Sequence, residues 1–230
     1  MTTIALLPMK AHSERVPNKN FRLLAGRPLF RWTLDTLLAT PGIDRVIINT
    51  DARERILEHG VGDERRVVIR DRREEIRGDM VSMNRVIEDD VRSVAGERYL
   101  MTHTTNPLLS VETVTGAMRE FDALVTRDAC DSLFSVTRIQ SRFYRADGSA
   151  INHDPDNLIR TQDLEPWYEE NSCLYLFTRG SFEATGARIG RRPALYETPR
   201  LESLDIDTED DWRLVAALAS TSDTAGVACE

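Results

Sequence analysis

Apolar positions along the chain fall into short blocks whose period keeps switching. TIALLP at 3–8 is a continuous apolar run that stops at Pro8, the pattern of a strand buried on both faces. In PLFRWTLDTLLAT, Leu29, Trp32, Leu37 and Leu38 recur at helical spacing, with Pro28 suited to a first turn and Pro41 and Gly42 to a stop. RVIINT at 45–50 reads as a strand, ARERILEHG as a short helix, RVVIR at 66–70 as a strand and VSMNRVIEDDVRSVA as a longer helix. RYLMTH, VETVTGAMREFDAL and SLFSVT continue the alternation; CLYLFT and ALYET resume it, and SLDID is expected to follow as a further extended segment. A last helix begins near Thr208, with acids in its first turn as the macrodipole favours, and TSDTAGVACE is expected to be a frayed tail.

Strands that alternate with helices imply right-handed crossovers and a mostly parallel sheet covered on both faces, an α/β three-layer sandwich. The length suits one domain, 1–230. The alternation breaks from about Arg138 to Glu170, where polar, turn-forming and aromatic residues make an inserted arm, 138–170. Ligands of such folds bind beyond the carboxyl ends of the strands, so the candidate site is built from PMKAHSERVPNKN, TDARE, RDRREEIRGD and HTTNPLL. The first of these is a long loop without apolar periodicity, the kind a compact domain keeps for function.

Composition narrows the class. At 41% hydrophobic and 30% charged, the chain is that of a folded protein with a polar surface. A net charge of -8 speaks against nucleic acid as partner. No apolar run has the length of a membrane span and MTTIALLPMK lacks the features of a secretion signal, so no membrane partner and a cytoplasmic location are expected. Cys130, Cys173 and Cys229 share no metal-ligand spacing and read as inert thiols.

The distribution of charge is more telling. Residues 1–34 hold Lys10, Arg15, Lys19, Arg22, Arg27 and Arg31 against Glu14 alone, a concentration suited to a compact polyanion. Lys10 and Lys19 are the only lysines of the chain, and lysine offers a compact point charge where arginine's planar fork does not fit. With Ser13, Arg15 and Asn20 they form an inventory of donors for phosphate oxygens, although the loop is neither a Walker loop nor a dinucleotide fingerprint. Near the other end, Asp205 and Asp207 alternate with Leu204 and Ile206 and would share one side of a strand. Paired carboxylates suit Mg²⁺ in the company of phosphates; that Asp207 merely caps the next helix is equally open.

PMKAHSERVPNKN followed by AGRPLFRWTLDTLL resembles the N-terminal signature of the acylneuraminate cytidylyltransferase family, a loop of the type A-R-G-G-S-K-x-x-P-x-K-N and then a G-K-P-L helix start. INTDARE, TTNPLLSVETV, RTQDLEPWYEENSCLYLF and IDTEDDW are similar to further family motifs in the same order. The resemblance implies a Rossmann-like fold of the nucleotide-diphospho-sugar transferase kind and a CTP-dependent nucleotidyltransferase, in which an acceptor oxygen attacks the α-phosphate, pyrophosphate leaves and a CMP conjugate forms. It implies Lys10, Arg15 and Lys19 as catalytic cations, and Lys10, Ser13, Arg15, Lys19, Asn20, Arg70 and Ser82 as nucleotide contacts. It also implies Asp205 and Asp207 as Mg²⁺ ligands, and a homodimer through the arm.

The departures concern the acceptor. Ala11 and His12 replace two family glycines, Glu14 replaces a lysine, and His103 a glutamine. His103, Arg160 and Gln162 are the acceptor-side candidates, and arginines of the arm suit an anionic acceptor, a phosphonate or a sugar acid; the altered loop favours a nonstandard acceptor such as a phosphonate, with a CMP-nonulosonic acid synthetase proper as the alternative. A sugar-nucleotide glycosyltransferase and an inactive nucleotide-binding module are the competing readings.

Overall fold

The computed structural model describes residues 1–61 and 65–225, with side chains described as far as 220. The elements are β1 (Thr3–Leu6), a two-residue-per-strand hairpin β2 (Leu23–Leu24) and β3 (Arg27–Pro28), α1 (Leu29–Ala39), β4 (Arg45–Thr50), α2 (Arg53–Glu58), β5 (Val67–Asp71), α3 (Met83–Ser93) and β6 (Arg98–Thr102). After these come α4 (Val111–Thr126), β7 (Ser132–Ile139), β8 (Trp167–Thr178), α5 (Arg179–Thr185), β9 (Pro193–Glu197) and α6 (Glu209–Ala225).

Seven strands form one sheet in the order β5-β4-β1-β6-β8-β7-β9. β1 pairs in parallel with β4 and β6, β4 with β5, and β7 with β9; β8 alone runs antiparallel, to β6 and β7. Alternate residues of the central strands feed opposite layers, as the two-residue period demands. Ala5, Leu7, Val46, Ile48 and Leu100 pack with Phe30, Leu34 and Leu37 of α1 and with Val114 and Phe121 of α4. Ile4, Leu6, Ile47, Tyr99 and Met101 pack with Ile87 and Val91 of α3 and Phe182 of α5. The apolar runs read from the sequence are therefore strands buried on both faces of an α/β three-layer sandwich, as expected. Ser82 and Ser110 fix the starts of α3 and α4, each accepting from a backbone N–H of the first turn.

Two expectations need correction. The arm is not irregular at its root: Arg138 pairs with Tyr168 and Ile139 with Trp167, so β7 and β8 run on past the sheet as a two-stranded ribbon, and the segment outside the strands is 140–166. Trp167 to Glu170 are exposed on both sides, which removes the hydrophobic alternation by which strands are recognised. SLDID is not a strand. Ile206 makes one backbone bond, its N–H to the Thr105 carbonyl, while its own carbonyl takes the Lys19 ammonium instead of a neighbouring strand. Of the expected tail, 221–225 continue α6 and 226–230, with Cys229, lie outside the described residues. Cys130 and Cys173 are buried free thiols; burial pushes the Cys173 thiol up to about 12, consistent with an inert role. No helix among the described residues is long and apolar enough to cross a membrane.

Candidate functional site

From β1 the chain crosses to β4 on one side and returns to β6 on the other, which leaves a crevice beyond the carboxyl ends of β1 and β6. A cavity of about 430 Å³ opens there, walled by Pro8 to Lys10, His12 to Arg15, Lys19 and Asn20 from the first loop, His103 to Thr105 after β6, and Arg72, Asp79, Met83 and Asp207. That volume is within the range of small-ligand sites.

Hydrogen bonds hold the loop in shape. Asn20 donates to the Lys10 carbonyl at 2.8 Å and accepts from the Thr104 hydroxyl at 2.7 Å, which clamps the loop after β1 to the loop after β6. The Ala11 N–H donates to Asp51 Oδ1 at 2.7 Å and ties the loop to the end of β4. Val16 is buried with Leu24, Leu29, Ile206 and Trp212 in a third apolar cluster beneath it.

The cations stand on this frame. Lys19 is buried, its ammonium 2.5 Å from the Ile206 carbonyl and 3.6 Å from Asp207. Arg15 donates to Asp207 at 2.7 Å, and Lys10 pairs with Asp79 at the opposite wall. Arg72 is buried and makes three bonds, from Nε to Asn49 Oδ1 at 3.0 Å and from Nη2 to the Asn49 and Met9 carbonyls at 2.8 and 3.3 Å. Four basic side chains thus converge on one opening, and the acids facing three of them, Asp79 and Asp207, are about half exposed. The Lys10 and Arg15 pairs are exposed on both sides and of small net worth, whereas Lys19 is itself buried.

Lys10, Ser13, Arg15, Lys19, Asn20, His103 and Asp207 all reach the cavity wall. Arg70 does not. Its guanidinium lies under β5 on the carboxylates of Asp89 and Asp90 and on the Ser93 hydroxyl, and Arg72, two residues on, faces the cavity in its place. The pair Arg70 and Arg72 on one strand end was the available signal, and only packing decides between them. Ser82 is spent on the cap of α3, next to Met83 in the wall. Arg160 pairs with Asp163 and Gln162 gives its carbonyl to Gln140, both out on the arm and away from this wall. Of the residues that depart from the family pattern, His12 and Glu14 are exposed on the cavity lip.

Asp207 points into the cavity and does not cap α6; Thr208 and Asp211 form that cap by reciprocal bonds. Asp205 is bonded by Thr105, and burial raises its carboxyl above the ordinary range, with Asp207 adding to the effect. One buried oxygen of Asp205, Oδ1, has no hydrogen-bond partner among the described residues, a state that a cation would relieve. No group of three or more acid, His or Cys side chains is placed to hold a metal among the described residues. His103 is held neutral: burial first, then the Arg188 and Lys19 cations, lower its pKa to about 4.

A family profile described as cytidylyltransferase matches residues 4–212. Among curated relatives, N-acylneuraminate cytidylyltransferase of Streptococcus agalactiae serotype V is 26% identical over 221 residues, 92% of this chain and 52% of that protein. CMP-N,N'-diacetyllegionaminic acid synthase of Legionella pneumophila is 26% identical over 243 residues, 98% of this chain and 99% of that protein. The chain spans about half the length of the streptococcal relatives it matches. A solved CMP:2-keto-3-deoxy-manno-octonic acid synthetase, complexed with CTP, superposes with a TM-score of 0.67 at 14% identity, covering 96% of this chain and 100% of that one, a likeness of fold. With nearly its whole length matched, the chain belongs to the cytidylyltransferase family.

Proposed function

We propose that the chain is one catalytic domain with an inserted arm, which transfers CMP from CTP to a small acid and releases pyrophosphate. The observation that carries this reading is the convergence of Lys10, Arg15, Lys19 and Arg72 on the cavity at the ends of β1 and β6. A triphosphate needs that much positive charge, and the reaction is mainly positioning and charge neutralisation. Lys19, held by the Ile206 carbonyl, is fixed before the ligand arrives, whereas Lys10 and Arg15 exchange exposed carboxylates for phosphate oxygens. Arg72, locked by three bonds, presents a rigid cation beside them. Asp205 and Asp207 together with phosphate oxygens would hold Mg²⁺, which when bound neutralises charge developing on the leaving pyrophosphate.

The names of relatives support a sugar acid as acceptor; His12 and Glu14 on the lip keep a phosphonate as the second choice. The arm exposes Tyr144, Ile151, Leu158, Ile159, Trp167 and Tyr168, apolar surface that supports a homodimer through it. The test is incubation with CTP, Mg²⁺ and a panel of sugar acids and phosphonates while pyrophosphate is measured. Release with one class and not the other identifies the acceptor; no release with any, and no CTP binding by calorimetry, sinks the reading.

A further inference from the structure

Beyond His103 and Met83 in the cavity wall lies a polar cluster that belongs to neither the triphosphate cations nor the arm. Arg188, in the loop after α5, stacks its guanidinium on the Tyr175 ring with 4.1 Å to the centroid, and donates from Nη2 to the Tyr175 hydroxyl at 3.2 Å. The same hydroxyl donates to Glu170 and lies 3.1 Å from the Ser172 hydroxyl. The backbone N–H of Arg188 donates to the Asn84 side chain at 3.3 Å, one residue from the wall residue Met83. Met83, Ile189 and Tyr175 share one apolar cluster, and Thr102, the neighbour of His103, is opposite Leu174 in the pairing of β6 with β8. Arg188 is not itself a wall residue; it is tied to the wall through Asn84, the neighbour of Met83, and through the cluster that Met83 shares with Ile189 and Tyr175.

The charge at this position is incompletely used. The Arg188 side chain retains 19% of its exposure, and its nearest acid, Glu170, is 3.7 Å away, outside hydrogen-bond range. Its Nε and Nη1 make no hydrogen bond among the described residues, because its one side-chain bond is from Nη2 to Tyr175. A guanidinium whose plane is fixed by an aromatic ring and one hydroxyl, with an edge of donors left over, is preorganised for a bidentate oxyanion. The charges of Arg188 and Lys19 both act, after burial, to lower the His103 pKa.

We propose that Arg188, held by Tyr175, is the specificity residue that takes the anionic group of the acceptor, a carboxylate or phosphonate, while the acceptor's reacting oxygen reaches across His103 toward the nucleotide at Lys19. This rests on the cytidylyltransferase reading and refines its acceptor side; it moves acid recognition from the arm arginines to a residue of the sheet's own loop. The step itself adds no reactant: the acceptor oxygen, its proton lost to solvent where it is a hydroxyl, forms the bond to the α-phosphorus, the bond from the α-phosphorus to the bridging oxygen of the β-phosphate breaks, and pyrophosphate leaves with that electron pair.

The test uses the full chain with its nucleotide end filled by the unreactive α,β-methylene analogue of CTP, titrated by calorimetry with N-acetylneuraminate and with methylphosphonate. The wild type is expected to bind at least one of them, and Arg188→Gln to bind it about tenfold to a hundredfold more weakly. Arg188→Lys should be intermediate, and the affinity for the CTP analogue should stay within about twofold in both variants. Equal probe binding by wild type and Arg188→Gln, or binding of neither probe by wild type that still binds the analogue, overturns the assignment and leaves the nucleotide reading standing. Failure of the wild type to bind the analogue overturns the nucleotide reading, and the assignment with it. Should Arg188→Gln not fold, Tyr175→Phe, which frees the guanidinium from its hydroxyl, must still weaken the probe and spare the analogue.

Discussion

Arg15 in the first loop and Arg70 under β5 both bind an aspartate, yet the two pairs differ in what surrounds them. The Arg15 and Asp207 side chains are 68% and 46% exposed, whereas those of Arg70 and Asp90 are 19% and 1% exposed. The first pair has water to fall back on and can be broken by a ligand at little cost. The second has been desolvated, and a partner removed from it leaves a charge in the interior. The same two residue types thus line an open cavity in one place and brace the interior in the other. Arg72 links the two: its head group is in the cavity wall, while Asn49 takes its Nε and donates to Asp90 at 2.8 Å.

The largest effect follows from the buried side of this contrast. Arg70→Leu takes the paired guanidinium from the buried Asp90 carboxylate, leaving it Asn49 alone while Asp89 keeps Arg73, and should cost on the order of 3 to 5 kcal/mol of stability in urea denaturation, with CTP affinity of the folded fraction retained. If CTP binding falls while stability does not, Arg70 acts on the nucleotide and the division between the two regions is wrong. Next is Lys19→Met, which removes a fixed cation from the cavity. Turnover should fall by about a hundredfold to a thousandfold, while the lost bond to the Ile206 carbonyl costs about 1 to 3 kcal/mol; a variant that is merely unstable, with normal turnover per folded molecule, would make Lys19 a structural lysine.

The sequence reading succeeded and failed along the same line. β1, β4 and β6 were legible because strands buried on both faces are continuous apolar runs, and the first loop because its lysines interrupt an otherwise arginine-based chain. Strand residues 167–170 were not, since a ribbon exposed on both faces has no hydrophobic pattern to display. Arg70 and Arg72 are chemically equivalent on paper and separated only by what packs against them. Arg188 carries no local signal; contacts to Tyr175 and to Asn84, 104 residues earlier, fix its position.

A smaller effect concerns pH, where the two regions pull in opposite directions. Burial raises the Asp90 carboxyl to about 6 from its usual 3.8, so between those values the native state holds a proton that the unfolded chain has released, and stability falls as pH rises. Burial, Arg188 and Lys19 lower His103 to about 4 from 6.5, so there the unfolded chain holds the extra proton and stability rises with pH. Each contribution is at most ~3 kcal/mol, and across this window they offset one another. Asp90→Asn should leave the His103 slope uncovered, with stability increasing from pH ~4 to pH ~6.5. His103→Gln should leave the Asp90 slope, with stability decreasing. Urea midpoints that run parallel in the two variants would show that neither group is titrating as its surroundings require.

The smallest effect is expected on the arm, and it bears on whether a third region joins the site. Arg160 and Asp163 form an exposed pair at 2.7 Å, so Arg160→Ala should change stability by about 0.5 kcal/mol or less. Because Arg160 is absent from the cavity wall of its own chain, CTP affinity should not move. Acceptor KM is then the informative quantity. If it is unchanged, anion recognition rests with the sheet's own loops, as the position of Arg188 requires. If it rises only at protein concentrations where two chains associate, the arm works in its partner's cavity, and the boundary between exchangeable and structural arginines must be redrawn across two copies.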